Sequence, residues 1–341
     1  MDRKIGGYFG LDLRGETLDP IYSLWKTWTD GRNILDFNSN RVAIKKILQI
    51  EKIHRIWLPY YICNDVKEAL SEYEVNYYQI SNEFIPQDYF LDDIESDDCV
   101  VLVSYFGLPI SDIFVKKIRD LNKEILIIED KAQSIEPPNI NVDWSIYSPR
   151  KFMGVPDGGV AVTKRAFSHP QVKVKECADI ITNFLPILMR NQDETMSSGQ
   201  YETYIKSEKS IFSHESRASK ITIELLKISS YLYISKKRIN NWNYLNSFLQ
   251  EKSIFSCFKK IDWTPLGYPI IVENPSDFVD YMAKHGVFCA RHWSCLGDEL
   301  NHFEFENDLS KKIVTIPIDQ RLNKPELNYL ISKIRDYDEK K

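Results

Sequence analysis

Between residues 53 and 165, short apolar runs alternate with amphipathic segments. The apolar runs have the length of β-strands, and the segments between them repeat apolar residues at helical spacing. The pattern predicts strands at 53–59, 75–80, 99–107, 124–130 and 158–164, with helices at 64–74 and 111–123. This alternation is typical of an α/β fold with a mostly parallel sheet. Ligands of such sheets bind at the carboxyl ends of the strands, so we expect the chemistry there.

The second half of the chain has a different pattern. From residue 218 to 250 apolar side chains recur at helical spacing, which predicts one long amphipathic helix. Short strand and helix patterns follow at 268–273, 277–286, 287–293 and 312–318, before a closing helix at 324–337. We therefore expect a large α/β domain over residues 1–250, which ends in the long helix, and a small α+β domain over residues 251–341.

Composition and charge narrow the class of protein. The 341 residues are 43% hydrophobic and 27% charged, as in ordinary globular proteins. The balance of 44 Lys and Arg against 49 Asp and Glu argues against a nucleic-acid or membrane binder that works through bulk charge. No apolar run is long enough for a membrane span, and the N-terminus lacks the apolar core of a secretory signal. The six cysteines form no CxxC pair, so we expect a cytoplasmic protein without a structural metal.

Candidate chemistry lies in three segments at strand or helix ends, with an aromatic segment as a fourth. The segments are IIEDKAQ with Asp130, YSPRKFMGVPDGG with Lys151 and the Gly158-Gly159 pair, FNSNRVAIKKIL with Ser39 and Asn40, and LPYYIC with Tyr61. Each has a structural explanation when taken alone. Ser39 and Asn40 would cap a helix, Asp130 would lie in a turn, and Lys151 would be a solvated surface residue. The glycine pair would form a bulge, and Tyr61 would pack in the core. Their order and spacing carry more information than any single residue.

That order fits the requirements of pyridoxal 5′-phosphate (PLP). A lysine, here Lys151, holds the aldehyde of PLP as a Schiff base. An acidic group, here Asp130, keeps the pyridine nitrogen protonated. A helix N-terminus with small polar residues, here Ser39 and Asn40, binds the phosphate through its free N–H groups and its dipole. An aromatic side chain such as Tyr61 would cover the ring.

The same segments resemble those of the DegT/DnrJ/StrS sugar aminotransferases, which are fold-type-I PLP-dependent enzymes. The resemblance extends from IGGYFGLDL near the N-terminus to IVTIPIDQR near the C-terminus. EDKAQS is similar to the family's E-D-x-A-Q segment, and SPRKFMGVPDGG is similar to its segment of Ser, Lys and (D/E)-G-G. The resemblance implies that Asp130 is the pyridinium partner, Lys151 the Schiff-base lysine, Gln133 a contact to the ring 3′-oxygen and Ser148 a phosphate ligand. NSNR, which contains Arg41, resembles the family's phosphate loop.

Function and assembly follow from this resemblance as expectations. It implies amino transfer from an amino acid, with L-glutamate as the donor, to a nucleotide-linked keto sugar. Such a reaction serves amino-sugar or surface-polysaccharide biosynthesis. It also implies a homodimer, because HESRASK (214–220) lies where the family has a segment donated to the partner subunit. Arg217 is the residue expected to reach across; alternatively, it pairs with Glu215 or Glu224 on its own surface.

Alternatives from other classes stay open. Another PLP-dependent reaction, an elimination or dehydration on a sugar or amino acid, would use the same residues. The sugar dehydratases of the family replace the lysine with histidine, and Lys151 argues against them. A regulator or scaffold with this fold but without catalysis is the second alternative, and the presence of Asp130, Gln133 and Lys151 together argues against it. A NAD-dependent enzyme is disfavoured because no predicted strand is followed by GxGxxG.

Overall fold

The computed structural model describes residues 4–13, 15–17, 19–192, 198–297 and 300–339. The strands are β1 Ile5–Gly6, β2 Asn33–Phe37, β3 Arg55–Pro59, β4 Glu74–Tyr78, β5 Cys99–Val103, β6 Leu126–Lys131, β7 Trp144–Tyr147, β8 Gly159–Thr163, β9 Tyr268–Ile271, β10 Val287–Phe288 and β11 Ile313–Ile316. The α-helices are α1 Leu24–Thr29, α2 Asn40–Glu51, α3 Asn64–Ala69, α4 Asp112–Leu121, α5 Cys177–Gln192, α6 Ser198–Phe212, α7 Lys220–Ile228, α8 Tyr231–Leu249, α9 Pro275–Lys284, α10 Glu304–Lys312 and α11 Lys324–Asp338.

Seven strands form the large sheet, in the order β2-β8-β7-β6-β5-β3-β4. Neighbouring strands from β7 to β4 run parallel, while β8 runs antiparallel to both β7 and β2. The predicted α/β class with a mostly parallel sheet is therefore confirmed, and so are its five predicted strands. The sequence does not predict β2 and β7, because their runs are short and broken by polar residues.

Two helices occupy the range 218–250, so the prediction of one long helix there is wrong. α7 ends before Ser229, which has an extended conformation, and α8 begins after Ser230. The Ser229 hydroxyl donates to a carbonyl in the last turn of α7 (2.7 Å), and the Ser230 hydroxyl accepts an N–H from the first turn of α8 (3.2 Å). Backbone bonds from the N-terminal segment also reach both serines. The exposed helix ends are thus satisfied, and the chain can turn between the helices.

Smaller sheets form from both ends of the chain. β9 pairs antiparallel with β11, and β1 pairs parallel with β10. These strands, with α9 and α11, match the patterns predicted beyond residue 268. One hydrophobic cluster includes residues from Ile5 to Tyr337 and joins the large sheet to the C-terminal part. The domain boundary near residue 250 stays a prediction. In the described ranges, none of the helices has both the length and the apolar character needed to cross a membrane.

A close approach between β8 and the start of α2 places the helix against the sheet. A β-carbon on Gly159, the first residue of β8, would lie 2.3 Å from the carbonyl group of Ser39 and 2.6 Å from the backbone nitrogen of Asn40. Gly158 has φ +134°, which favours glycine, and its N–H donates to the carbonyl of Asn38 (2.9 Å). The Gly-Gly pair therefore lets the N-terminus of α2 contact the sheet directly.

We expect Gly159→Ala to destabilise the protein by roughly 2 kcal/mol, because backbone atoms cannot move aside as a flexible side chain can. Gly199→Ala is the matched control: among the described residues no atom lies within 4 Å of its would-be β-carbon. This change, on helix α6, should be neutral or stabilise the protein by up to about 1 kcal/mol. Urea unfolding measures both. Equal free energies of unfolding for the two variants would contradict the close approach at Gly159.

Candidate active site

A cavity of about 610 Å³ lies at the carboxyl ends of the parallel strands. Residues from three predicted segments line it: Ser39, Asn40 and Arg41 at the start of α2, Asp130 at the end of β6, and Ser148 and Lys151 after β7. The structure thus brings together residues that are more than 100 positions apart in the chain. The other predicted site residues, Gln133, Tyr61 and Arg217, are not part of the cavity wall.

Strand alternation directs Asp130 into the cavity and its two neighbours to the opposite face of the sheet. Those neighbours, Glu129 and Lys131, form a buried ion pair (2.8 Å). Asp130 Oδ1 accepts a hydrogen bond from the N–H of Ala132 (2.8 Å). Burial raises the pKa of Asp130, while the Ala132 N–H and the Lys151 ammonium lower it. Asp130 is therefore a buried acid that a positively charged ligand atom would help to ionise.

Lys151 ends a 3-10 turn, Pro149–Lys151, that follows β7 directly. Its backbone N–H donates to the carbonyl of Ser148 (3.2 Å), and β7 pairs with β6, which brings this turn next to Asp130. The side chain is half-buried and lines the cavity. Within the described ranges its amine makes no hydrogen bond or ion pair, so it is available to a ligand.

The N-terminus of α2 forms the polar end of the cavity. Ser39 caps the helix by accepting an N–H of the first turn (3.4 Å), as one of the structural explanations predicts. Both polar side-chain atoms of Asn40 are buried and have no partner among the described residues. Arg41 pairs with Asp65 (3.2 Å) and stacks 3.4 Å from the centre of the Phe212 ring. This combination of helix N-terminus, amide and guanidinium suits an anion.

Gln133 lies behind Asp130 and is 1% exposed. Its Oε1 accepts a hydrogen bond from the N–H of Phe106 (2.6 Å), which fixes the orientation of the amide. Phe106 has φ +52°, in the left-handed region that costs a non-glycine residue energy, so this contact holds a strained turn. The Nε2 of Gln133 is buried and has no partner within the described part of the chain. It is therefore a donor that still lacks an acceptor.

Tyr61 lies in the core, which corrects its prediction as the ring platform. The side chain is fully buried, its hydroxyl donates to the carbonyl of His292, and its ring contacts Trp293 edge-on with 5.4 Å between centroids. Tyr61 therefore contacts the C-terminal part of the chain and does not line the cavity. Cys63, two residues later, lines the cavity instead.

Arg217 lies outside the cavity and pairs with Asp36 of β2. Its Nε also donates to the backbone carbonyl of Asp36 (3.0 Å). Burial raises the pKa of Asp36, and the Arg217 guanidinium opposes this. The two partners that the sequence left open, Glu215 and Glu224, instead pair with lysines. Within one subunit Arg217 therefore holds β2 and makes no contact with the site.

Sequence reasoning missed several groups in the cavity wall, of which Arg150 and His292 lie closest to the chemistry of Lys151. Arg150 binds Glu208 of α6 through both of its Nη atoms, one of them at 3.4 Å. His292 lies with Nδ1 2.8 Å from the hydroxyl of Thr315. Burial, and then the charge of Lys151, lower the pKa of His292 to about 3, so its ring is neutral at physiological pH. No motif marks either group; adjacency to Lys151 is the one sequence signal for Arg150.

The cavity fits PLP in size and in donor set. Its volume lies within the roughly 300–1,000 Å³ usual for cofactor sites. The buried amide of Asn40 lines the cavity and lacks partners among the described residues, and buried polar groups normally have them, which indicates that a ligand completes the site. A buried acid, an available amine and a helix N-terminus lie around one space. By contrast, the described residues contain no cluster of three or more side chains able to hold a metal.

Solved structures show where this fold occurs. One match is Spr1654 from Streptococcus pneumoniae, which is described as a sugar aminotransferase in its PLP form. The match covers 98% of this chain and 93% of Spr1654, with a TM-score of 0.65 and 14% identity. A DegT DnrJ EryC1 StrS aminotransferase from Brucella abortus matches 89% of this chain and 86% of its own (TM-score 0.60, 14% identity). The sugar aminotransferase CalS13 from Micromonospora echinospora matches 89% and 87% (TM-score 0.56, 10% identity).

These matches show that the chain shares its fold with solved sugar aminotransferases, as the sequence predicts. At such identities they show the fold alone. No protein-family model and no curated protein matches the chain. The chemistry must therefore be argued from the cavity itself.

We expect Asp130→Asn to stabilise the cofactor-free protein at neutral pH. An acid whose pKa is raised by folding binds its proton more tightly in the native state, so ionising it at higher pH costs stability. The variant removes this cost, and its advantage should shrink as the pH falls toward 3.8, the ordinary pKa of aspartate. Urea unfolding from pH 4 to pH 8 measures the effect.

Asp319→Asn is a control of opposite sign. Although burial opposes it, the charge and hydrogen bonds of Arg321 lower the pKa of Asp319 to about 2. Its ionised form therefore stabilises the fold above the ordinary pKa, and the contribution is lost as the pH falls through about 2. We expect this variant to lose about 2 kcal/mol at pH 7. A loss of similar size for Asp130→Asn would show that the carboxylate of Asp130 is stabilised, contrary to the expected cost.

Proposed function

We propose that this protein is a PLP-dependent aminotransferase. The observation that carries the proposal is the meeting of three groups in one cavity: the amine of Lys151, the buried carboxyl of Asp130 and the N-terminus of α2. Each alone has a structural explanation, and their convergence does not. The fold shared with solved sugar aminotransferases supports the same function.

Lys151 would hold the cofactor covalently through the bond from its Nζ to the aldehyde carbon. When bound, PLP supplies an electron sink for the carbanion formed on the amino acid. The Nζ of Lys151 would also accept and return the proton of the donor Cα. The amine of Lys151 suits both roles, because among the described residues it has no ion pair that would have to be broken first.

Asp130 would pair with the pyridine nitrogen. Its raised pKa means that the carboxyl holds a proton readily, and a protonated ring nitrogen nearby would compensate the cost of its negative charge. The resemblance assigns Gln133 to the ring 3′-oxygen; because Gln133 lies behind the cavity wall, this contact requires its Nε2 to reach past that wall. Ser39, Asn40, Arg41 and Ser148 would bind the phosphate at the start of α2, where the helix dipole favours negative charge.

The substrates follow the fold and the resemblance. We propose an amino acid, L-glutamate, as donor and a nucleotide-linked keto sugar as acceptor, with the product used in amino-sugar or surface-polysaccharide biosynthesis in the cytoplasm. The relatives in fold are described as sugar aminotransferases, which supports a sugar acceptor.

Borohydride reduction of the PLP-treated protein should attach the cofactor irreversibly to Lys151, and peptide mapping locates the label. Prior addition of L-glutamate should remove the yellow colour and prevent labelling. Lys131 is the internal control, because it lies two residues from the strand-end acid of the site (Asp130) but is buried in an ion pair with Glu129. A label on Lys131, or none on either lysine, would overturn the proposal.

We further propose that the working unit is a homodimer in which Arg217 serves the site of the partner subunit. Its side chain is 46% exposed, so it can meet another copy of the chain.

Mixing inactive Lys151→Ala and Arg217→Ala variants under conditions of subunit exchange should restore about a quarter of the parental activity, because some heterodimers then carry one intact site. Lys227→Ala is the control, since Lys227 is equally exposed and ion-paired but lies elsewhere. It should stay active by itself. No recovery despite demonstrated exchange would contradict the shared site.

A further inference from the structure

The Arg150–Glu208 pair lies in the wall of the cavity beside Lys151. Arg150 belongs to the same 3-10 turn as Lys151, and Glu208 belongs to α6, which covers the cavity from the other side. The two Nη atoms of Arg150 donate to the two carboxylate oxygens of Glu208, which is the geometry in which arginine binds planar anions. No other ion pair of Arg150 is found among the described residues. A carboxylate of the chain therefore occupies an anion-binding position inside the candidate site.

The position lies at the phosphate end of the cavity. Four residues after Glu208 on the same face of α6, Phe212 stacks on Arg41 of the α2 N-terminus. Burial, together with the nearby positive charge of Arg41, lowers the pKa of Arg150. Two guanidinium groups in the wall of one cavity are thus close enough to repel each other, near a helix N-terminus that favours anions.

An additional donor without a partner lies next to the pair. Asn183 of α5 is 1% exposed and lines the cavity, and its Nδ2 has no partner in the described ranges. The hydroxyl of Ser207, the residue before Glu208, contacts the Oδ1 of Asn183 (3.4 Å), which leaves the Nδ2 free. Arg41 has Asp65 as its partner and Arg150 has Glu208, whereas the Nδ2 of Asn183 still lacks an acceptor beside them.

We propose that Arg150 is a phosphate-binding residue and that Glu208 is an internal competitor, which holds Arg150 until the phosphate of the cofactor displaces it. This inference rests on the proposed use of PLP. A phosphate brings roughly two negative charges against the one of glutamate, so it is the stronger partner for adjacent guanidinium groups. The Glu208 side chain is 23% exposed and can turn toward solvent when released. Arg150 would thus supply a cation from the same chain, in addition to Arg217, which we propose above to act on the site of the partner subunit.

The test compares PLP with pyridoxal, which has the same aldehyde and ring but no phosphate. Dissociation constants are measured by absorbance titration of the cofactor-free protein, and inorganic phosphate binding is measured by calorimetry. Arg150→Gln should weaken the binding of PLP and of inorganic phosphate by about 10- to 100-fold, as expected for a lost charge-assisted contact. Glu208→Gln should strengthen both by about 3- to 10-fold, because it removes the competitor. Neither variant should change pyridoxal binding by more than about twofold.

Arg165→Gln is the matched control. Arg165 also pairs with a glutamate, Glu51, but lies outside the cavity wall, so all three affinities should stay at the parental value. If Arg150→Gln weakens PLP and pyridoxal equally, Arg150 supports the fold of the cavity and the inference is wrong. If Glu208→Gln weakens PLP binding, the glutamate is no competitor and the inference is equally wrong. Failure of both aldehydes to bind the parent at Lys151 would instead refute the proposed function.

Discussion

The contact between the start of α2 and the start of β8 holds the candidate site together. Gly159 allows the backbone of Ser39 to touch the sheet, and the N–H of Gly158 fixes the loop before the helix. β8 is paired along its length with β7, whose end carries the turn of Lys151. The anion-binding helix and the reactive amine are therefore positioned by one continuous set of hydrogen-bonded strands. Any side chain at residue 159 would push the N-terminus of α2 away from the strands that position Lys151.

The cavity wall and the residues directly behind it contain groups that the protein alone compensates poorly. Asp130 is an acid whose burial disfavours its charge, and the amides of Asn40 and Gln133 are buried without partners in the described ranges. Phe106 is held in a strained conformation beside them. Each feature costs stability; a ligand with a cationic ring nitrogen would compensate the charge of Asp130, and a ligand oxygen would give the amide of Asn40 an acceptor. The site is thus built for a bound state, and the surrounding sheet supplies the stability that it lacks.

The sequence reveals those parts of the structure that depend on short-range patterns. Buried parallel strands are continuous apolar runs, so the strand that ends in Asp130 and the strand that begins at Gly159 can be predicted. The break at Ser229 cannot, because serine is compatible with a helix and the pairing that interrupts it comes from the distant N-terminal segment. Tyr61 is misassigned because an aromatic residue at a strand end suits a cavity and a core equally well. The Arg150–Glu208 pair escapes notice because its members are 58 residues apart and join only when α6 folds over the site.

The pairing of β1 with β10 sets the order in which the molecule can be completed. Residues 6–9, which follow the start of β1, form part of the cavity wall, yet Ile5 finds its partner Val287 only near the end of the chain. During synthesis the central sheet can assemble from local strand–helix units, whereas this wall must wait until the C-terminal segments have emerged. In a chain that lacks the C-terminal segments, residues 6–9 therefore cannot take their place in the cavity wall. A ligand that depends on residues 6–9 can therefore be held tightly only after the C-terminal segments are in place.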